Sequence, residues 1–292
     1  MTKPEASRLS VHLVAGIILL QALLLVPDLC SDPAAATPPS PTSWTKYNQN
    51  PLLSPSGGWE GNSQLFSASL VDTGDQFYLY YTAGGVGLAT SYDCKSWTRY
   101  SGNPVRSSDC NPSVMKDGTT WKMWYSDSSG VCYATSGDGK SWTTVATGVM
   151  KYGASGAWDT GIWSVCVIKD GGTYRMYYTG NAANQQIGYA TSPDGTTWTK
   201  YAGNPVLALG PGGAWDDDDV LFPCVMKAGD EYRMWYAGHD GARVAIGYAT
   251  SSDGATWTRH AGNPVLSYGA GWDAYATMPT VVQRNSTLEM MY

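Results

Sequence analysis

Ile187 to Asp216 reads IGYATSPDGTTWTKYAGNPVLALGPGGAWD, and most of the chain after residue 43 is a copy of this stretch or of the segment immediately C-terminal to it. Ile246 to Asp273, IGYATSSDGATWTRHAGNPVLSYGAGWD, repeats it nearly letter for letter. Weaker copies begin at Gly87 (GLATSYDCKSWTRYSGNPV) and Val131 (VCYATSGDGKSWTTVATGVMKYGASGAWD). Each copy leads into an apolar run, a polar turn and an aromatic strand, as in VMKDGTTWKMWYS, VIKDGGTYRMYYTG and VMKAGDEYRMWYAG. A period of about 45 to 60 residues with four short strands per unit predicts a propeller.

Unit starts at Trp59, Asp109, Trp158, Trp215 and Trp272 predict an all-β, five-bladed propeller of four-stranded antiparallel blades over residues 44–292. Strand A is the apolar run (Val220 to Lys227 in blade four) and strand B the Tyr-Arg-Met-Trp-Tyr type. Strand C is Ile-Gly-Tyr-Ala-Thr and strand D is Trp-Thr-Lys-Tyr. Strands B and C alternate large and small side chains, as strands packed between blades require. Trp44-Thr45-Lys46-Tyr47 and Asn50-Pro51 carry the letters that close other units, while the last unit, from Gly271, stops at Tyr292 after its strand B. The N-terminal piece is therefore expected to supply the outer strand of an incomplete last blade that lacks strand C, where the sequence reads as C-terminally truncated. Such closure removes exposed sheet edges.

The 292 residues include 34 Gly, 13 Trp and 20 Tyr but only 3 Phe and 3 His, a mix of turn and strand formers. A net charge of −6 argues against nucleic acid as a partner. Residues 1–36 carry Lys3 and Arg8 ahead of the apolar run Val11 to Val26, with small residues Ala34 to Ala36 beyond it. That layout predicts a secretory signal, or an uncleaved anchor as the only membrane contact, and a secreted or extracytoplasmic monomer. Residues 37–43 are Pro-rich and read as a linker. Once Cys30 leaves with the signal, Cys94, Cys110, Cys132, Cys166 and Cys224 remain, an odd number without zinc-ligand spacing. Cys166 and Cys224 share a repeat position with Ser69, Ser113 and Thr280, which makes them small core residues.

A residue repeated in every blade serves the fold; one unique to a blade is a candidate for function. Asp93, Asp138, Asp194 and Asp253 recur in the C–D turn and are expected to cap their own turn N–H groups. This turn resembles the Asp-box of sialidases, one residue shorter, without an arginine cluster for a carboxylate ligand. Acids recur just before strand A at Glu60, Asp159, Asp216 and Asp273, with Asp109 in the corresponding region of blade two. Asp216 to Asp219 form a four-acid run; a solvated loop is preferred there over a calcium site, since the ligand spacing of a calcium loop is missing. No cofactor and no metal are expected. His239, Asp240 and Arg243 lie in the B–C loop of blade four, with Asp127 and Asn181 in the equivalent loops. Trp163, Phe222 and Tyr275 are candidates to stack against sugar faces at the mouth of the ring.

The pattern NPVL, Trp-Asp/Glu, Pro-x-Val, DG-x-Y-x-M-W-Y and IGYATS-x-DG over Trp44 to Tyr292 resembles the five-bladed propeller glycosidases. That superfamily includes arabinanases, xylosidases, invertases, levansucrases and the family 130 mannoside phosphorylases. The resemblance implies a polysaccharide or oligosaccharide ligand in the axial funnel and catalysis by paired carboxylates, commonly with an acid directly before Pro in strand A. The matching positions here are Ser67, Asn111, Ser164, Phe222 and Met278, none acidic. For a glycoside hydrolase the carboxylate set is then Glu60, Asp109, Asp159 and Asp219, with Trp163, Phe222, His239, Asp240, Arg243 and Tyr275 binding substrate. The alternatives are a glycan-binding propeller without chemistry and a protein-interaction scaffold.

Overall fold

The computed structural model describes residues 40–61, 64–107 and 111–292. The first sheet holds β1 (Phe66–Asp72), β2 (Phe77–Thr82), β3 (Val86–Ser91) and β4 (Thr98–Arg99). The second holds β5 (Ser113–Asp117), β6 (Thr120–Asp127), β7 (Gly130–Ser136) and β8 (Thr143–Met150). The third holds β9 (Ile162–Asp170), β10 (Thr173–Gly180), β11 (Gln186–Ser192) and β12 (Thr199–Lys200). The fourth holds β13 (Asp219–Ala228), β14 (Glu231–His239), β15 (Val244–Ser251) and β16 (Thr258–Arg259). A further sheet has two strands, β17 (Thr280–Arg284) and β18 (Thr287–Met291). Pairing is antiparallel between neighbours in sequence throughout. Among the described residues the chain is an all-β propeller with four complete blades and a two-stranded fifth sheet.

The first strands of the five sheets are tied to one another by side chains. Ser69 Oγ accepts from Val114 N at 2.9 Å and Ser113 Oγ from Val167 N at 2.9 Å. Cys166 Sγ accepts from Val225 N and Cys224 Sγ from Val281 N, both at 3.2 Å. Thr280 Oγ1 accepts from Leu70 N at 3.0 Å and closes the circuit. Each strand A thus satisfies a main-chain donor of its neighbour that would otherwise be orphaned inside the ring. Cys166 and Cys224 act here as acceptors, a role added to the small core residues that their repeat position predicts. Both are free thiols, along with Cys94 and Cys132 among the described residues.

Further out, a buried aromatic of each strand B reaches the next C–D turn. Tyr80 Oη donates to Gly139 O at 2.8 Å, Trp124 Nε1 to Gly195 O at 2.7 Å and Tyr177 Oη to Gly254 O at 2.8 Å. Trp235 Nε1 continues the series onto Pro41 O at 2.9 Å. Pro41 therefore occupies the turn position of the last unit, so residues 41–43, assigned to a linker from sequence, belong to the fold. Trp44 packs in the cluster of Val281 and Met290 and meets Trp235 edge-on at 6.1 Å. The N-terminal piece joins the fifth sheet's core as its letters suggest, but it forms no ladder with β18. At the A–B turns, Asp117–Lys169 (2.8 Å), Asp170–Lys227 (2.7 Å) and Asp72–Arg284 ion pairs link successive sheets.

Candidate functional site

The acids before strand A are built into one repeated quartet. Glu60 ends a 3-10 turn, Gly58–Glu60, and is buried, as Asp273 ends the turn Gly271–Asp273. Glu60 accepts from Tyr81 Oη (2.6 Å), Arg99 Nε (2.8 Å) and Ser56 N (2.8 Å). Asp159 takes Lys200 Nζ at 2.6 Å and Tyr178 Oη at 3.1 Å; Asp216 takes Arg259 Nε at 2.8 Å and Tyr236 Oη at 3.1 Å. Asp273 pairs with Lys46, which also lies over the Tyr292 ring. For Glu60, Asp159 and Asp216 the tyrosine comes from the end of strand B and the cation from strand D; for Asp273 the cation is Lys46, at the equivalent N-terminal position. The tryptophan preceding each acid packs on the unit's tyrosine, with Trp158 stacked on Tyr178 at 5.6 Å. Lys or Arg recurs two residues after the strand D tryptophan, and that recurrence is the signal in the sequence for a pairing that sequence reasoning missed.

These contacts have an electrostatic consequence. Burial alone would raise the Glu60 carboxyl, but hydrogen bonds from Tyr81, Arg99 and Ser56 outweigh it and lower the pKa to about 2. A depressed folded pKa stabilises the fold above the unfolded value of about 4.3, and that contribution is lost as pH falls through about 2. Denaturant unfolding between pH 5 and pH 2 is expected to show a falling stability that is shallower in Glu60→Gln. Equal slopes would rule out the Glu60 contribution. Asp93, also lowered to about 2 by its turn N–H groups at Ser96 and Lys95, adds to the same window. Asp194 is held in the same way by Thr197 and Thr196, with Ser192 Oγ donating at 2.9 Å, the local capping role expected of the recurrent turn acids.

The positions directly before proline in strand A are apolar or amide. Phe222 and Met278 both adopt left-handed backbone, with φ of 52° and 54°. This is costly for a bulky residue, and a residue before proline also avoids the α region. In β13 the strain coincides with a register slip between Leu221 and Cys224. The slip lets Phe222 N donate to the buried Thr179 Oγ1 at 2.9 Å, which is itself bonded to Ser164 Oγ at 2.8 Å. Phe222 consequently packs with Leu221, Ala237 and Met278 and lies 5.1 Å from the Trp163 ring. Trp163 remains 43% exposed and Tyr275 59% exposed. Asn111 is spent on structure: its Nδ2 donates to Trp163 O at 2.6 Å.

Within the four-acid run only Asp216 is buried, and Asp217 to Asp219 stay half-exposed. Asp216 points inward, Asp217 Oδ2 accepts from Gly213 N at 2.6 Å, and His239 Nδ1 lies 3.1 Å from Asp218 Oδ2 and 3.4 Å from Asp219 Oδ2. Asp219 Oδ1 also accepts from Gln185 N at 2.8 Å, which ties blade three to blade four. Asp218, Asp219 and His239 bring one ligand atom each within 4.8 Å of one another, and no calcium-loop spacing accompanies them. Asp240 caps its own loop through Ala242 N (3.0 Å) and Arg243 N (2.8 Å), and the Arg243 guanidinium sits 5.1 Å from the Tyr268 ring centre. Of the four carboxylates named for catalysis, Glu60 and Asp159 are locked in their own blades. Asp219 faces His239, and Asp109 lies outside the described residues. The structure brings together Trp163 with Phe222, and Asp219 with His239.

Comparison with known proteins places this geometry among relatives. The model of the glycosyl hydrolases family 32 N-terminal domain matches residues 125–274, just over half of the chain. Uncharacterized protein MT1551 of Mycobacterium tuberculosis is 29% identical over 234 residues, covering 68% of this chain and 75% of that protein. A thermostable family-43 glycoside hydrolase superposes with a TM-score of 0.63 at 22% identity, over 77% of this chain and 82% of its own. A glycosyl hydrolase from Bacteroides ovatus gives a TM-score of 0.56 at 20% identity, over 73% and 78%.

Proposed function

Because the chain belongs to the family of the glycosyl hydrolases family 32 N-terminal domain, within the propeller glycoside hydrolase superfamily, we propose that it is an exported, monomeric five-bladed propeller that binds a polysaccharide or oligosaccharide at the mouth of its ring. Binding rather than hydrolysis is favoured by one observation. The buried acids Glu60, Asp159, Asp216 and Asp273 are all turned onto cations of their own units, which leaves no opposed pair among them for a leaving oxygen and a nucleophile. Absence of an acid at Asn111, Ser164, Phe222 and Met278 supports the same reading. Trp163 and Tyr275 offer exposed rings for sugar C–H faces, with Phe222 packed against Trp163. His239, Asp240 and Arg243 supply hydrogen-bonding groups on the same rim.

Affinity electrophoresis against a polysaccharide panel, run beside a reducing-sugar assay, tests this. A retarded band without sugar release is expected, and Trp163→Ala should weaken retardation roughly tenfold or more, the loss of one aromatic anchor. The hydrolytic reading keeps one specific support, Asp219 beside His239. Sugar release by the wild type that disappears in Asp219→Asn would establish it and end the binding-only proposal.

A further inference from the structure

Strand A of each blade ends in a turn at the far end from Trp163, and a repeated ion pair joins neighbouring blades there. Asp117 at the end of β5 accepts from Lys169 Nζ (2.8 Å), Lys122 Nζ (2.7 Å) and Tyr174 Oη (2.6 Å). Asp170 at the end of β9 accepts from Lys227 Nζ (2.7 Å) and from Tyr232 Oη, with Arg175 Nε 3.3 Å away. In both seams the aspartate of one blade meets the strand A lysine and the strand B tyrosine of the next. The seam from blade five to blade one keeps a pair with the charges exchanged, Arg284 on Asp72. From blade four to blade five the two positions hold Ala228 and Gln283, so neither charge is present.

Between blades one and two the acid alone is missing. Thr73 N bonds Gln76 O at 3.1 Å, in the place of the Asp117–Thr120 pair that opens the turn of blade two. Thr73 therefore stands where Asp117 and Asp170 stand. Lys116 is opposite Trp121 as Lys169 is opposite Tyr174 and Lys227 opposite Tyr232, which makes it the lysine of this seam. It has no carboxylate partner among the described residues, and its Nζ lies 5.8 Å from the centre of the Trp121 ring. A cleft of about 490 Å³ opens here, lined by Thr73, Asp75, Tyr78, Tyr92, Lys116 and Trp121 among others. Tyr92 is 76% exposed, and the half-buried Tyr78 ring packs on Trp121 at 4.8 Å.

We propose that this seam binds an acidic glycan, with one uronate carboxylate in the missing aspartate's place on Lys116 and its sugar ring against Tyr92. The charge of the ligand follows from the repeat, in which this lysine meets a carboxylate at the next two seams and lacks one only here. An exposed tyrosine ring beside the cation favours a sugar, whose C–H face it can cover, over an acidic peptide. Asp138 in the adjoining C–D turn does not forbid an anion. Its carboxylate is held by Ser136, Lys140 and Ser141, and Asp194 and Asp253 occupy the same place at the two seams that carry an aspartate. Asp75, the other acid lining the cleft, opposes the ligand and limits its affinity. Binding here is independent of any glycan at the ring's mouth.

Isothermal titration calorimetry of the 292-residue chain with a galacturonate hexamer and a neutral galactose hexamer, at about 50 mM salt, tests this. The uronate alone is expected to bind, roughly fivefold or more weakly in Lys116→Gln. Thr73→Asp rebuilds the aspartate of the neighbouring seams and should remove uronate binding while Tm holds or rises. Trp163→Ala, at the other end of the ring, should leave uronate binding unchanged. No uronate binding, equal binding of the neutral hexamer, or wild-type affinity in Lys116→Gln or Thr73→Asp would each overturn the proposal. So would loss of binding in Trp163→Ala, which would give the uronate to the mouth, or tighter binding of a glutamate hexapeptide, which would make the seam a peptide site.

Discussion

Asp216→Ala is expected to lower unfolding free energy by about 3 kcal/mol, the low end for removing one partner of a buried ion pair. The residue is buried, and its loss strands two groups: the Arg259 guanidinium and the fully buried Tyr236 hydroxyl. Arg259 keeps 31% exposure and recovers part of its hydration, which holds the cost below the top of the range. The midpoint of thermal unfolding should fall by roughly 6–12 °C for a domain of this size. Asp216→Asn, which retains an acceptor for Tyr236, should lose less. If instead the variant melts like the wild type while losing glycan binding, the acid is a ligand-binding group and the quartet reading fails.

Trp235→Ala should cost about 3–5 kcal/mol, as for other buried tryptophans. Beyond the cavity, the substitution removes the hydrogen bond to Pro41 O and the edge-on contact with Trp44. These contacts anchor the N-terminal piece, so limited proteolysis should cut within residues 41–55 well before the rest of the domain opens. Uniform resistance of that segment in the folded variant would mean that Lys46 on Asp273 and Trp44 in its cluster suffice to hold it.

Repetition made the fold legible. Strands A to D, the capping role of Asp194, and the shared place of Cys166, Cys224, Ser69, Ser113 and Thr280 all come from aligning copies of one unit, because equivalent letters meet equivalent neighbours. The direction of the pre-strand acids was not legible in this way. Asp159 can face the axis or its own blade, and what decides is Lys200, 41 residues further on. The mouth of the ring was also hidden. A left-handed Phe222 before proline contradicts local preference, and only the slip in β13 with the donor site at Thr179 accounts for it. The division of Asp216 to Asp219 among Arg259, Gly213 N and a shared His239 was equally out of reach, since like charges adjacent in sequence read as a solvated run.

The circuit of bonds through Ser69, Ser113, Cys166, Cys224 and Thr280 has a consequence for how such a ring is counted. Every link is an acceptor at the same position on one strand meeting the donor at the same position on the next, at 2.9 to 3.2 Å, which suits a constant step between neighbours. The number of units is thus encoded in a single local geometry, repeated, rather than in any contact between first and last. Thr280 to Leu70, the seam between the chain's two ends, is the same kind of bond as the other links. Inserting or deleting a whole unit would leave each bond's chemistry intact yet spoil the sum of the angles, which is how a short-range preference enforces a long-range number.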